Sequence, residues 1–216
     1  MPYEKISVKL KDHDILINNG IDDPVIFNRM LPMGYSWEEM NHAKGLLEEA
    51  KDANRLNHSE QSEYHQAVDR RREAKDIFHE EYISDLELAR IAFRNDQNIL
   101  SKIDASGTRE RGIAEYLGQA ENFYKSLAED PSLLEKMAVF GYTTEIINER
   151  LASIGNIWGL IRQIEREEGD SQHQVNIRDE KLDELDDWAS IYKRVARVVF
   201  KDEPQYLEKL GIIVRS

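Results

Sequence analysis

The sequence predicts an all-α chain built from two copies of one helical unit, and three observations carry that expectation. Helix-forming residues dominate, with only 11 Gly and 5 Pro among 216 residues, and alternating β-branched runs are scarce. A short pattern, an acidic residue followed by Pro or Gln and then apolar residues at helical spacing, occurs four times, in the stretches beginning at Ile21, Phe93, Leu127 and Phe200. The spacing of these four stretches repeats, so that the second half of the chain restates the first.

In chain order, the segment from Lys5 to Ile17 alternates Ile6, Val8 and Leu10 with polar residues and reads either as a strand or as a ragged helix. In each of the four patterns the acidic residue suits an N-cap and the proline the first helical turn, so each is a corner leading into a short helix. The interval from Pro24 to Gln97 equals that from Pro131 to Pro204, and the repeat is therefore the offset that carries Pro24 onto Pro131. At that offset Met33-Gly34-Tyr35-Ser36 falls on Phe140-Gly141-Tyr142-Thr143, and Leu88 to Phe93 falls on Val195 to Phe200. Ser36 and Thr143 are natural N-caps for the long helices that follow, and Gly34 and Gly141 release the short helices before them.

Within each unit two long helices are predicted, joined by polar turns at Asn57-His58-Ser59 and Glu168-Gly169-Asp170-Ser171, which makes them antiparallel hairpins. The first unit covers 1–107, with helices over about 36–57 and 60–95. The second covers 108–216, with helices over about 143–167 and 171–202, and both pack into one elongated bundle, two lobes being the alternative. In the last helix Val175, Leu182, Ala189 and Ala196 occupy one heptad position and Leu185, Tyr192 and Val199 the other. The matching helix of the first unit carries Val68, Phe78, Tyr82, Ala89 and Ala92 but interrupts its seam with Lys75 and Asp85, predicting looser, partly solvated packing. An amphipathic helix over about 109–128, with Ile113, Tyr116, Leu117, Ala120, Phe123, Tyr124 and Leu127 on its apolar side, bridges the hairpins.

Charge and composition exclude several functions. The 42 acidic and 29 basic residues leave a formal charge of -13, unfavourable for nucleic acid. The absence of Cys removes disulfides, thiolate metal sites and cysteine nucleophiles and fits a reducing compartment. The first twenty residues hold scattered charges and no long apolar run, so neither a secretion signal nor a membrane anchor is expected, and the chain is read as cytoplasmic.

Candidate sites are few. A dinuclear carboxylate centre draws Glu-x-x-His from bundle helices, and Glu39 with His42 has that spacing. The apolar face of that helix runs through Trp37, Met40, Leu47 and Ala50, however, which turns His42 to solvent. Its counterparts at the repeat are Ile146 and Glu149; Asp76 with His79 and Asp170 with His173 are weaker relatives. His13, His58 and His65 are read as surface residues, Arg70-Arg71-Arg72 as a solvated face paired with Asp69, Glu73 and Asp76, and Trp158, Trp188 and Tyr192 as core. No Gly-rich phosphate loop, GxSxG elbow or His-Glu-x-x-His is present.

The closing stretch carries Leu185, Asp186, Trp188, Ala196 and Arg197 and the run from Pro204 to Gly211. It resembles the C-terminal segment of a group of uncharacterised bacterial helical-hairpin proteins with a Leu-Asp-x-Trp, Ala-Arg and Pro-Gln-x-Leu-Glu-x-Leu-Gly pattern. The resemblance covers the last unit and, more weakly, its duplicate, where Glu81 and Gln97 replace Trp188 and Pro204, and it implies a fold without an activity. The function expected is a non-enzymatic helical interaction or scaffold protein with no cofactor, and with a protein partner or a second copy of itself rather than a membrane or nucleic acid. The alternatives are a ferritin-like metal-dependent enzyme and a small-molecule-binding bundle. The apolar side chains Tyr206, Leu207, Leu210, Ile212, Ile213 and Val214 near the C-terminus predict docking within the chain or onto a second subunit.

Overall fold

A computed structural model describes residues 5–213, and among them there are eight α-helices, one 3-10 turn and no strand. The helices are α1 (Ile6–Asp22), α2 (Pro24–Met30), α3 (Trp37–Ala92), α4 (Gln97–Lys102), α5 (Ile113–Glu129), α6 (Pro131–Ala138), α7 (Thr144–Val199) and α8 (Pro204–Lys209). None is long and apolar enough to cross a membrane. The Lys5 to Ile17 segment is helical: its buried residues Leu10, His13, Leu16, Ile17 and Gly20 follow the helical period, and the alternation of Ile6, Val8 and Leu10 is incidental.

The four short helices begin at Pro24, Gln97, Pro131 and Pro204, the residues the corner pattern named. Asp23 Oδ1 accepts from the Val25 and Ile26 amides, Asp96 Oδ1 from Ile99, and Asp130 Oδ1 from Ser132. Gly34 and Gly141, at φ 96° and 83°, take the left-handed conformation that ends the preceding turn. Ser36 Oγ and Thr143 Oγ1 then cap the long helices by accepting from the Glu39 and Ile146 amides. Advanced by the offset from Pro24 to Pro131, α1, α3 and α4 have the same bounds as α5, α7 and α8, and α2 starts where α6 starts.

The hairpin turns are absent. Both long helices run 56 residues without a break, straight through 57–59 and 168–171. Neither segment contains Pro, the one residue costing about 3 kcal/mol in a helix interior; Asn, His and Ser each cost under about 0.7 kcal/mol and a lone Gly about 1, which flanking helix formers and tertiary packing offset. The division at residue 107 fails with the turns. The contacts separate a terminal unit, made of the described residues within 1–62 and 169–216, from a middle unit, 63–168. Each unit joins the opening of one half of the chain to the close of the other half. Accordingly α5 lies wholly in the middle unit and bridges nothing.

In the terminal unit Trp188 Nε1 donates to Glu39 at 2.8 Å, Lys181 pairs with Glu49 at 3.0 Å and Arg178 Nη1 donates to Asn57 at 2.9 Å, so α3 and α7 run antiparallel. Its core joins Leu16, Ile26, Met30, Tyr35, Met40, Tyr192 and Phe200 to Leu207, Leu210 and Ile212, so that part of the C-terminal apolar patch docks within this unit, whereas Ile213 is 86% exposed and Val214 lies outside the described residues. Trp37, predicted on the buried face, is 59% exposed and meets Phe27 edge-on, while Met40, Leu47 and Ala50 are buried. The middle unit is also antiparallel, Arg150 pairing with Glu81 and Asp85, and packs Phe78, Tyr82, Tyr116, Phe123 and Tyr124 together.

Two glycines read out this geometry. Gly169 is exposed within α7 with open space around it, whereas a Cβ on Gly20 would meet Tyr192 Oη at 2.6 Å and Met40 Cε at 3.0 Å. Gly169→Ala is expected to raise stability by about 0.5–1 kcal/mol, as in any helix interior. Gly20→Ala is expected to lower it by about 1–3 kcal/mol, because an aromatic side chain in a packed core has nowhere to go. Urea unfolding of both variants checks this, and a loss of stability in Gly169→Ala would restore the turn at 168–171.

Candidate functional site

Two buried polar centres stand out, one in each unit. In the middle unit Asp85 sits on the inner face of α3 at 5% exposure. Its Oδ2 accepts from the Tyr124 hydroxyl at 2.7 Å and from Arg150 Nε at 3.1 Å, and Tyr142 is a further hydrogen-bond partner. Arg150 Nη1 reaches Glu81 at 2.9 Å. The expectation of loose, solvated packing at Asp85 is therefore corrected: α5 and α7 bring partners that α3 alone does not reveal. Lys75, the other interruption, places its Nζ over the Tyr116 ring at 5.7 Å.

Burial, reinforced by the neighbouring Asp85 carboxylate, pushes the Tyr124 and Tyr142 phenols well above their ordinary range, and burial lifts Tyr116 to about 12. These hydroxyls stay protonated at neutral pH, and the centre is a set of fixed donors around one carboxylate rather than a proton-transfer pair.

In the terminal unit His13 is 5% exposed on α1, a correction to its reading as a surface residue. Its Nε2 lies 2.6 Å from Asp186 Oδ1, and Lys9 pairs with Asp186 Oδ2. Burial lowers the His13 pKa, outweighing the Asp186 hydrogen bond; Lys193 and Lys9 push the same way. Burial alone would raise Asp186, yet the Lys9 and His13 hydrogen bonds bring it below the usual carboxylate value. At the repeat offset Asp186 and Lys9 correspond to His79 and Tyr116, which are themselves 2.8 Å apart. The two pairs of positions touch in both units with different chemistry. A helical reading of α1 would have found His13, three residues from Leu10 and Leu16.

The metal-ligand candidates do not converge. Glu39 is occupied by Trp188, and His42, Asp76 and His79 are exposed, His79 being bonded to Tyr116. Glu39 and His42 belong to the terminal unit, Asp76 and His79 to the middle one. None of the four belongs to a group of three metal-capable side chains within 4.8 Å of one another among the described residues. Asp170, His58, His65 and His173 are exposed. Trp158 and Trp188 are half-buried against the cores and Tyr192 is fully buried.

Two outcomes are expected from these centres. Arg150→Met leaves Asp85 buried without its cation and is expected to cost about 3 kcal/mol. The Arg150→Met/Asp85→Asn pair is expected to lose less, since an amide still accepts from Tyr124; chemical denaturation of both, with the Asp85→Asn single variant, tests the coupling. For His13, a folded-state pKa below the unfolded value means that the unfolded chain binds the proton more readily. The stability is present above about pH 6.5 and is lost as pH falls below it, whereas the Asp186 contribution is lost only below about pH 4. Urea midpoints at about pH 7 and 5 are expected to separate in the wild type and to separate less in His13→Gln.

No family model, curated protein or solved structure matches this chain.

Proposed function

We propose that the protein is an internally duplicated, non-enzymatic helical scaffold whose two compact units each present one apolar contact point to a protein partner. The observation that carries this reading is exposure at matched positions. Met33 and Phe140, one repeat apart, are 54% and 37% exposed, and Ile91 and Val198, again one repeat apart, are 53% and 78% exposed. Large apolar side chains left in water at the same place in both copies fit a contact surface kept through duplication better than scattered surface apolarity. The duplication is supported by the coincident helix bounds and by one repeated contact. In the terminal unit the Arg29 guanidinium lies over Phe200 at 4.8 Å; in the middle unit its counterpart Lys136 lies over Phe93 at 5.5 Å. Each brings the corner that carries Met33 or Phe140 to the end of the long helix that carries Val198 or Ile91.

The test uses the full chain as bait in cell extract, with Met33→Asp, Phe140→Asp and the double variant alongside. Each position is solvent-exposed, so the folded signal in circular dichroism is expected to remain. Each change is expected to weaken retention of a specific partner by about tenfold, the loss of one buried apolar contact, and the double variant to abolish it. Retention unchanged in the double variant would sink the reading. Stoichiometric metal in protein purified without chelators would replace it with the ferritin-like alternative.

A further inference from the structure

The start of α1 differs from the start of its counterpart α5 in charge: Glu115 stands in the first turn of α5, and no acidic residue stands in the first turn of α1. The N–H groups of a first helical turn have no intrahelical acceptor, and the helix dipole makes that end electropositive. In the middle unit the Glu115 carboxylate folds back over Gly112 at the start of α5, so tightly that a Cβ on Gly112 would collide with Glu115 Oε2. In the first copy Val8 stands at the position of Glu115. Among the described residues neither helix start is capped by a side-chain hydrogen bond, and α1 also lacks the first-turn carboxylate that α5 has.

The terminal unit instead gathers donors there. Lys5, Ile6 and Ser7 line a groove of about 350 Å³ together with Asn57 and His58 of α3 and Arg178 of α7. Asn57 is 1% exposed. Its Oδ1 accepts from Arg178 Nη1 at 2.9 Å and from Gln61 Nε2 at 3.3 Å, which fixes the orientation of the amide, since reversing it would set donors against donors. Its Nδ2 is left buried with no acceptor. A buried donor without a partner is costly, and an oxygen placed against it recovers that cost. The second copy has Ile164 at the position of Asn57, so the donor belongs to this unit alone.

We propose that this groove binds a small oxyanion, a carboxylate or a phosphate, which takes at α1 the place that the Glu115 carboxylate takes at α5. The anion accepts from the Ile6 and Ser7 amides, the Val8 and Lys9 amides being taken by the Lys5 carbonyl, and from Asn57 Nδ2, with Lys5 and Arg178 supplying positive charge. Asp179 engages Arg178 Nε and Nη2 and neutralises part of that charge, so the affinity rests on the directed donors and is expected near millimolar. This inference is independent of the scaffold reading.

The experiment is calorimetric titration of the full chain at low salt with inorganic phosphate and, separately, with acetate. Saturable binding of at least one is expected; phosphate alone would indicate a phosphoryl ligand, and acetate alone a carboxylate. Asn57→Asp keeps the acceptor for Arg178 but replaces the free donor with a negative charge. It is expected to weaken binding at least about tenfold without lowering the thermal midpoint. Lys5→Gln, at an exposed position, is expected to weaken binding by about two- to fivefold. No saturable binding of either anion, or binding that either variant leaves unchanged, overturns the proposal.

Discussion

The structure depends on the continuity of α3 and α7. An amphipathic helix must cover its apolar stripe, and one that turned back at its midpoint would cover itself. Because both helices run on through 56 residues, the second half of α3 leaves the unit that holds α1 and packs instead on α5 and the opening of α7. Each compact unit is consequently assembled from the beginning of one half of the chain and the end of the other half. A few tenths of a kcal/mol at each unfavourable residue decides this, since no proline stands at either midpoint to force a turn.

Once the two units contain corresponding elements, the differences between them become legible position by position. In the terminal unit Tyr192 fills the space beside Gly20, and Trp188, Tyr35, Ile17 and Ala43 complete an apolar, aromatic packing. In the middle unit the corresponding positions hold Asp85 and Leu127, with Glu81, Tyr142, Tyr124 and Arg150 at the other four, and a hydrogen-bonded charge network results. Volume is conserved by exchanging large for small on facing helices, which is how cores accept substitution. One centre resists water by burying rings; the other buries a carboxylate and satisfies it with two phenols and a guanidinium.

The same comparison separates what both units share from what one unit alone holds. Caps at Ser36 and Thr143, left-handed glycines at Gly34 and Gly141, and the cation over Phe200 or Phe93 occur in both. The left-handed residue is Gly211 after α8 and Asp104 after α4, where Arg109 and Asn122 hold the backbone and side chain in place. The buried His13 and the unpartnered amide of Asn57 occur once and are the features that distinguish the terminal unit.

The sequence by itself determined the helical class, the recurring spacing of the corners and the starts of all four short helices, because caps, prolines and left-handed glycines act over a few residues and leave local signatures. It also marked the buried faces of α5 and of the end of α7. Tertiary structure alone decided whether 57–59 and 168–171 turn or continue, since polar residues in a helix interior are tolerated when neighbouring helices hold the segment, as Arg178 holds Asn57. It alone decided the environments of Asp85 and His13, whose partners Tyr124, Arg150 and Asp186 lie from 39 to 173 residues away in the chain. Helical periodicity reports which face of a helix is buried; it carries no information about which distant charge will be buried against it.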